Sequence, residues 1–303
     1  MKRILFALAF GLAILFLTGC TTYSPSDPTP YPTLVLIASP TPLSVTPTTA
    51  ASATPNLVPT ATVGDVLPGS ISGPYAVIRV TPGDVLNIRS APGTGNPISG
   101  SFAATATTVM RTGPSSNADG DLWVQVQNPV GGLGWVNASY LTEYVAPAAF
   151  CADARVITLL GNFRDALKTS NGETLSSLVS PLHGIAVRLW RNGNAVLLYP
   201  NDARWIFVST YEHNWGAAPG SGLDTIGAIH MVVLPKWMDV FNSSYSISCD
   251  VPLTGGASYD TAWPAIYANV NYYALYKPGP AGNELSWRTL LIGVEYVQGQ
   301  PYI

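Results

Sequence analysis

The chain has 303 residues, 47% of them hydrophobic and only 10% charged, with a formal net charge of −3. That length leaves room for roughly two domains of about 150 residues each, with enough apolar material for real cores. Lys and Arg are nowhere clustered, so the basic patch that nucleic-acid binding requires is missing and nucleic acid is set aside as a partner; 28 Gly, 26 Pro and 15 Tyr point to many turns and β-rich packing.

Met1, Lys2 and Arg3 form a short positive start, and Ile4 to Leu17 an apolar run that is short for a permanent membrane span. With small residues before Cys20, residues 1–19 have signal-peptide geometry. The stretch Leu17-Thr18-Gly19-Cys20 resembles the lipobox of bacterial lipoproteins. The resemblance implies cleavage before Cys20 and a diacylglyceryl group with fatty acids such as palmitate on its thiol. It also implies an extracytoplasmic protein of the cell envelope, lipid-anchored to a bacterial membrane. Two acyl chains anchor firmly where one binds marginally. A plain secretory signal or an uncleaved anchor, with Cys20 incidental, stays open.

Residues 20–72 are dominated by Pro, Thr, Ser and Ala, as in Ser39-Pro40-Thr41-Pro42. Such a stretch cannot bury enough surface to offset its conformational entropy and is expected to be a disordered stalk. It serves either to carry the folded part through a wall layer or as a linker of indifferent length. The two remaining cysteines, Cys151 and Cys249, are expected to pair in an oxidising compartment; two free buried thiols are the alternative.

Residues 73–146 read as short strands between Gly, Pro and Asn clusters, which predicts a small all-β barrel. Strands are expected at Ala76–Val80, from Leu86, at Ile98–Phe102, along a Thr-rich stretch through Val109 and at Leu122–Val126, with a polar loop at Pro114–Asp121. Leu86-Asn87-Ile88-Arg89-Ser90-Ala91-Pro92-Gly93, then Trp123 and Val126, then Gly134-Trp135-Val136 and Tyr140-Leu141 resemble the bacterial Src-homology-3-like domain. The resemblance implies a five-to-six-stranded barrel and a binding or targeting module for peptidoglycan, another envelope glycan or an envelope protein. In a barrel this small, Trp123 and Trp135 are expected as core and groove wall, with a ligand-platform role for them and Tyr140 as the alternative.

Residues 150–303 change texture. Val156, Leu159, Leu160, Phe163 and Leu167 have helical spacing within Ala152–Lys168, and Glu173–Val179 adds a second helical piece. Strands are expected at Ile185–Trp190, Ala195–Tyr199, Trp205–Tyr211, Ile226–Leu234, Tyr245–Val251, Ile266–Tyr276 and Leu290–Val297, with a helical turn or two from Pro235. A helical N-terminus before a mostly antiparallel sheet is an α+β domain. Its opening resembles nuclear-transport-factor-like cone folds. Tyr272–Gly279 and Leu285–Thr289 resemble uncharacterised C-terminal domains of bacterial lipoproteins that also carry the barrel.

Chemistry is thinly marked. From Glu212, His213, Asp224, His230 and Asp239, in and after the densest polar stretch, a metal or hydrolase site could be sketched, but they lack any ligand or nucleophile motif. No catalytic residue, metal or cofactor is assigned. Exposed aromatics beside Asp or Asn suit sugar stacking, which makes Trp215, Trp263 and Tyr267 a candidate groove. The reading is a non-enzymatic binding protein of the envelope; an envelope hydrolase using a pair such as Glu212 and His213 is the alternative.

Overall fold

The computed structural model describes residues 74–256 and 260–303. The expected signal peptide, Cys20 and the stalk lie outside the described residues. Every strand pairing described is antiparallel.

The first half is a barrel. β1 (Tyr75–Val77), β2 (Val85–Arg89), β3 (Ile98–Ala103), β4 (Arg111–Ala118), β5 (Asp121–Gln127), β6 (Leu133–Asn137) and β7 (Leu141–Glu143) follow in order. Five of them form a sheet in the order β3-β2-β6-β5-β4, and β1 pairs with β7. Alternation decides the core: Leu86 and Ile88 of β2, Val124 and Val126 of β5 and Val136 of β6 point into one apolar cluster with Val77, Phe102 and Val109. Gly134 lets β6 approach β2, since a Cβ there would lie 2.3 Å from Ile88 Cγ2. Two local expectations fail. The Thr-rich stretch before Val109 is mostly turn, and the predicted polar loop is instead β4, whose polar residues pair with β5 at the sheet edge. An edge strand needs backbone partners on one side only and tolerates such a sequence.

The second half begins with α1 (Pro147–Ala152) and α2 (Ala154–Lys168), two helices where one was expected from Ala152. Asp153 separates them because its side chain accepts from Arg155 N and caps α2. α3 (Gly172–Leu178) follows, capped by Asn171, whose Oδ1 accepts from Thr174 N at 3.0 Å. β8 (Ile185–Arg188) and β9 (Ala195–Leu198) form a hairpin, then comes α4 (Pro200–Ala203). The expected strand at 205–211 is absent. Turn-type bonds from α4 run on through Trp205 N to Asp202 O and Ser209 N to Trp205 O, so that backbone is already satisfied locally.

β10 (His213–Ala217) pairs with β11 (Asp224–Gly227), and the chain after Gly227 turns into α5 (Ile229–Val232) rather than continuing as a strand to Leu234. α6 (Leu234–Phe241) has Pro235 in its first turn. β12 (Ser246–Cys249), β13 (Asn271–Lys277), β14 (Arg288–Val297) and β15 (Gln300–Tyr302) make a four-stranded sheet in that order. The strands thus divide into one sheet and two hairpins, not the single curved sheet of a cone fold.

One face of the sheet, with Tyr273, Leu275, Ile292, Val294 and Tyr296, joins the helices in a core that also holds Phe150, Phe163, Trp215 and Phe241. Cys151 and Cys249 form a disulfide with Cα atoms 5.8 Å apart, which pins the end of α1 to the end of β12.

The barrel docks on the second domain through polar contacts, most of them partly buried. Asn269 Nδ2 donates to Val77 O at 2.7 Å, Asn271 Nδ2 to Val145 O at 2.7 Å and Arg79 N–H to Ile266 O at 2.7 Å. The Glu143 carboxylate accepts from Gln298 N and Gly299 N at 2.7 and 2.9 Å. Burial raises its pKa above the ordinary carboxylate range, with the nearby Glu295 adding to the rise.

Candidate functional site

The outer face of the barrel sheet is built by the same alternation that fills the core. Leu122, Val124 and Val126 point inward, so Trp123 and Gln125 of β5 point outward, beside Trp135 of β6 and Arg89 of β2. Trp135 faces Gln125 on one side and Arg89 on the other. The loop after Arg89 is self-supporting: Arg89 Nη1 donates to Asn96 O at 2.6 Å, Asn96 Nδ2 to Pro92 O at 2.7 Å and Ser90 N to Pro97 O at 2.9 Å. Its tip is tied to the β4–β5 turn, where Asp119 Oδ2 accepts from Thr94 N at 2.6 Å and Thr94 Oγ1 at 2.7 Å. These bonds, the Thr94 backbone N–H first, hold the Asp119 carboxyl below its usual pKa. The loop is thus held in place by bonds within the barrel itself.

The six aromatic candidates fall into different places. Trp123 is buried at 3% exposure, yet it lies outside the barrel core, and its indole N–H donates to Ala118 O at 3.1 Å. The expected burial of Trp123 holds, but its ring is not part of the cluster inside the barrel, which aliphatic side chains from five strands fill. Trp135 is half-buried on the outer face and Tyr140, on the turn after β6, is 37% exposed. Trp215 is fully buried in the second core, its N–H donating to Gly227 O at 2.9 Å, so no ligand stacks on it in this conformation. Trp263 and Tyr267 lie on the opposite face of the four-stranded sheet. There Trp263 stacks on Tyr272 with ring centroids 4.5 Å apart, and its N–H donates to Tyr267 O at 2.7 Å. The structure does not bring Trp215 to them.

The polar candidates are also dispersed. Asp239 is taken by Lys277 Nζ at 2.6 Å and Arg288 Nε at 2.7 Å, with the Lys277 hydrogen bond the main reason its pKa is lowered. Asp224 accepts from Asn214 Nδ2 at 2.8 Å. His230 Nδ1 lies 3.0 Å from Ser209 O. Glu212 is exposed, and His213 packs between Tyr211 and Trp215, burial lowering its pKa. Among the described residues, the one grouping of His, Cys, Asp or Glu tight enough for a metal is Cys151, Cys249 and Asp250, whose two sulfurs are bonded to each other.

Sequence reasoning missed one buried polar cluster. Glu295 of β14 receives the Ser180 hydroxyl on Oε1, and its Oε2 lies 2.7 Å from His183 Nδ1, with the His and Glu side chains 8% and 9% exposed. Ser180 Oγ also accepts from Leu182 N and His183 N. The glutamate stands between serine and histidine, so the order needed to activate a serine by a neighbouring base is not present. The cluster ties the 180–184 loop to β14 close to the barrel, where Arg79 Nη2 donates to His183 O at 2.9 Å. Its partners are 112 residues apart for His183 and Glu295, with no spacing signal to reveal them.

A small barrel with a half-open aromatic and arginine face is thus fused to a β-rich domain with helices packed on its sheet. Residues 84–142 match the family of bacterial SH3 domains. No curated protein and no solved structure matches the chain.

Proposed function

We propose that this protein is a lipid-anchored, extracytoplasmic binding protein of the bacterial envelope whose barrel holds cell-wall polymer. The observation that carries the reading is the bacterial SH3 domain at residues 84–142, a domain commonly used as a cell-wall binding module. Trp135 and Arg89 on its outer face, with Tyr140 on the following turn, supply stacking surface and a guanidinium donor. Membrane attachment is supported by Leu17-Thr18-Gly19-Cys20, the thiol of Cys20 being the acceptor for the diacylglyceryl group.

The test is co-sedimentation of the full chain with purified peptidoglycan sacculi. Retention should fall at least tenfold in Trp135→Ala with the thermal melt unchanged; equal retention, or none in the wild type, overturns the assignment of this face. Cys20→Ser should abolish incorporation of a labelled fatty acid in cells, and undiminished labelling overturns the anchor.

A further inference from the structure

Beyond the barrel, the second domain carries a groove of about 410 Å3 where the α2–α3 turn meets the end of α4. This is a volume within the range of small-molecule sites. Its rim holds Trp205, an indole left 59% exposed by a domain that buries Trp215 completely. Beside it stand Thr169, Ser170, Asn171, Glu173 and Arg204.

The groove is held in shape by its own chain. Gly172 packs so closely on Arg204 that a Cβ would lie 2.0 Å from Arg204 O, and Ser176 Oγ donates to Pro200 O at 2.7 Å, so α3 and α4 are locked together. Ser170 adopts a left-handed φ of 52°, which turns the chain into α3, and the exposed Asn171 caps that helix through Oδ1. Arg204 Nη2 pairs with Glu173 Oε2 at 3.2 Å. The pair neutralises the site, and an anionic ligand would have to compete with Glu173 for the guanidinium.

A flat, exposed aromatic ring beside hydroxyl, amide and paired charged groups, without net charge, has the chemistry that receives a pyranose. The apolar C–H face of the sugar lies on the indole and its hydroxyls exchange hydrogen bonds with the polar rim. We propose that this groove binds a neutral oligosaccharide, as a second binding site independent of the barrel. Two sites on one chain would raise retention on a polymer through effective concentration without strengthening either contact.

The experiment is calorimetric titration of the full chain with two neutral probes, the N-acetylglucosamine tetramer and a glucose tetramer, and with a neutral tetrapeptide. At least one saccharide should bind at a single site. Its affinity should fall at least tenfold in Trp205→Ala, stay within a fewfold in Trp205→Phe, and be unchanged in Trp135→Ala. Because Trp205 is exposed, the melting temperature of Trp205→Ala should match the wild type, which separates loss of a ligand contact from loss of fold. Binding of neither saccharide, binding indifferent to Trp205→Ala, or Trp205-dependent binding of the tetrapeptide alone overturns the proposal. Loss of sacculus retention in Trp135→Ala with saccharide titration intact reports on the barrel and leaves this site standing.

Discussion

The barrel and the second domain solve the same burial problem with different material. The barrel core is mostly branched aliphatic, with Val77, Ile88, Val109, Val124, Val126 and Val136 at 1% exposure or less, and both of its tryptophans lie outside it. The second core gathers Phe150, Phe163, Trp215, Phe241, Tyr273 and Tyr296 from both ends of its sequence and adds a disulfide across 98 residues. A small curled sheet packs its inward residues against one another, so alternation along each strand does most of the work of filling its core. Helices laid on an open sheet leave irregular gaps, which large rings fill and a covalent staple helps to hold.

That contrast can be broken first at the staple. Replacing Cys151 and Cys249 together by Ser should lower the stability of the second domain by up to about 4 to 5 kcal/mol, the chain-entropy figure for a loop of this size. Barrel amides should keep their hydrogen-exchange protection. Equal loss in both halves would mean that they unfold as one unit.

Trp215→Ala comes next, at about 3 to 5 kcal/mol, since it empties a fully buried ring site and removes the indole donor to Gly227 O. Denaturant melts followed by near-ultraviolet circular dichroism would show it. The matching change in the barrel, Gly134→Ala, presses a methyl against Ile88 Cγ2 and should cost about 1 to 3 kcal/mol, read as lost protection in β2 and β6.

The seam sharpens the comparison further. Asn269→Ala removes the side-chain donor to Val77 O and should cost about 1 kcal/mol while separating the unfolding midpoints of the two halves. Coincident midpoints in this variant would show that other seam contacts suffice.

The smallest effect is electrostatic. The Asp239 carboxyl, lowered by Lys277 and then Arg288, contributes stability that is present above its unfolded pKa of about 3.9 and is lost as pH falls through the lower folded value. All three side chains are partly exposed, so Asp239→Asn should cost no more than about 1 kcal/mol at pH 7. The difference from wild type should shrink as the pH drops below about 4. A difference that persists unchanged in acid would point to packing rather than charge.

Much of the barrel was legible because its signals are local. Leu86-Asn87-Ile88-Arg89 and Gly134-Trp135-Val136 carry both alternation and motif, and strands pair with near neighbours in sequence. The helices α2, α3 and α6 were legible from spacing and from Pro235. Trp205–Tyr211 was misread because its apolar residues suit a strand, while hydrogen bonds running on from α4 had already claimed that backbone. Composition of the Thr-rich and polar stretches likewise said nothing about which one would find a partner at the sheet edge.

By itself the sequence determined many of the short strands, the main helices, the pair of cysteines able to meet and the family of residues 84–142. Period-2 and period-3.6 patterns and spaced motifs are written in consecutive residues. Only the tertiary structure decided that Trp123 and Trp215 are closed off, that Trp205 is open above a groove, and that Glu295 meets Ser180 and His183. Exposure and long-range polar pairing depend on which surfaces pack together, and that choice is made by the whole fold.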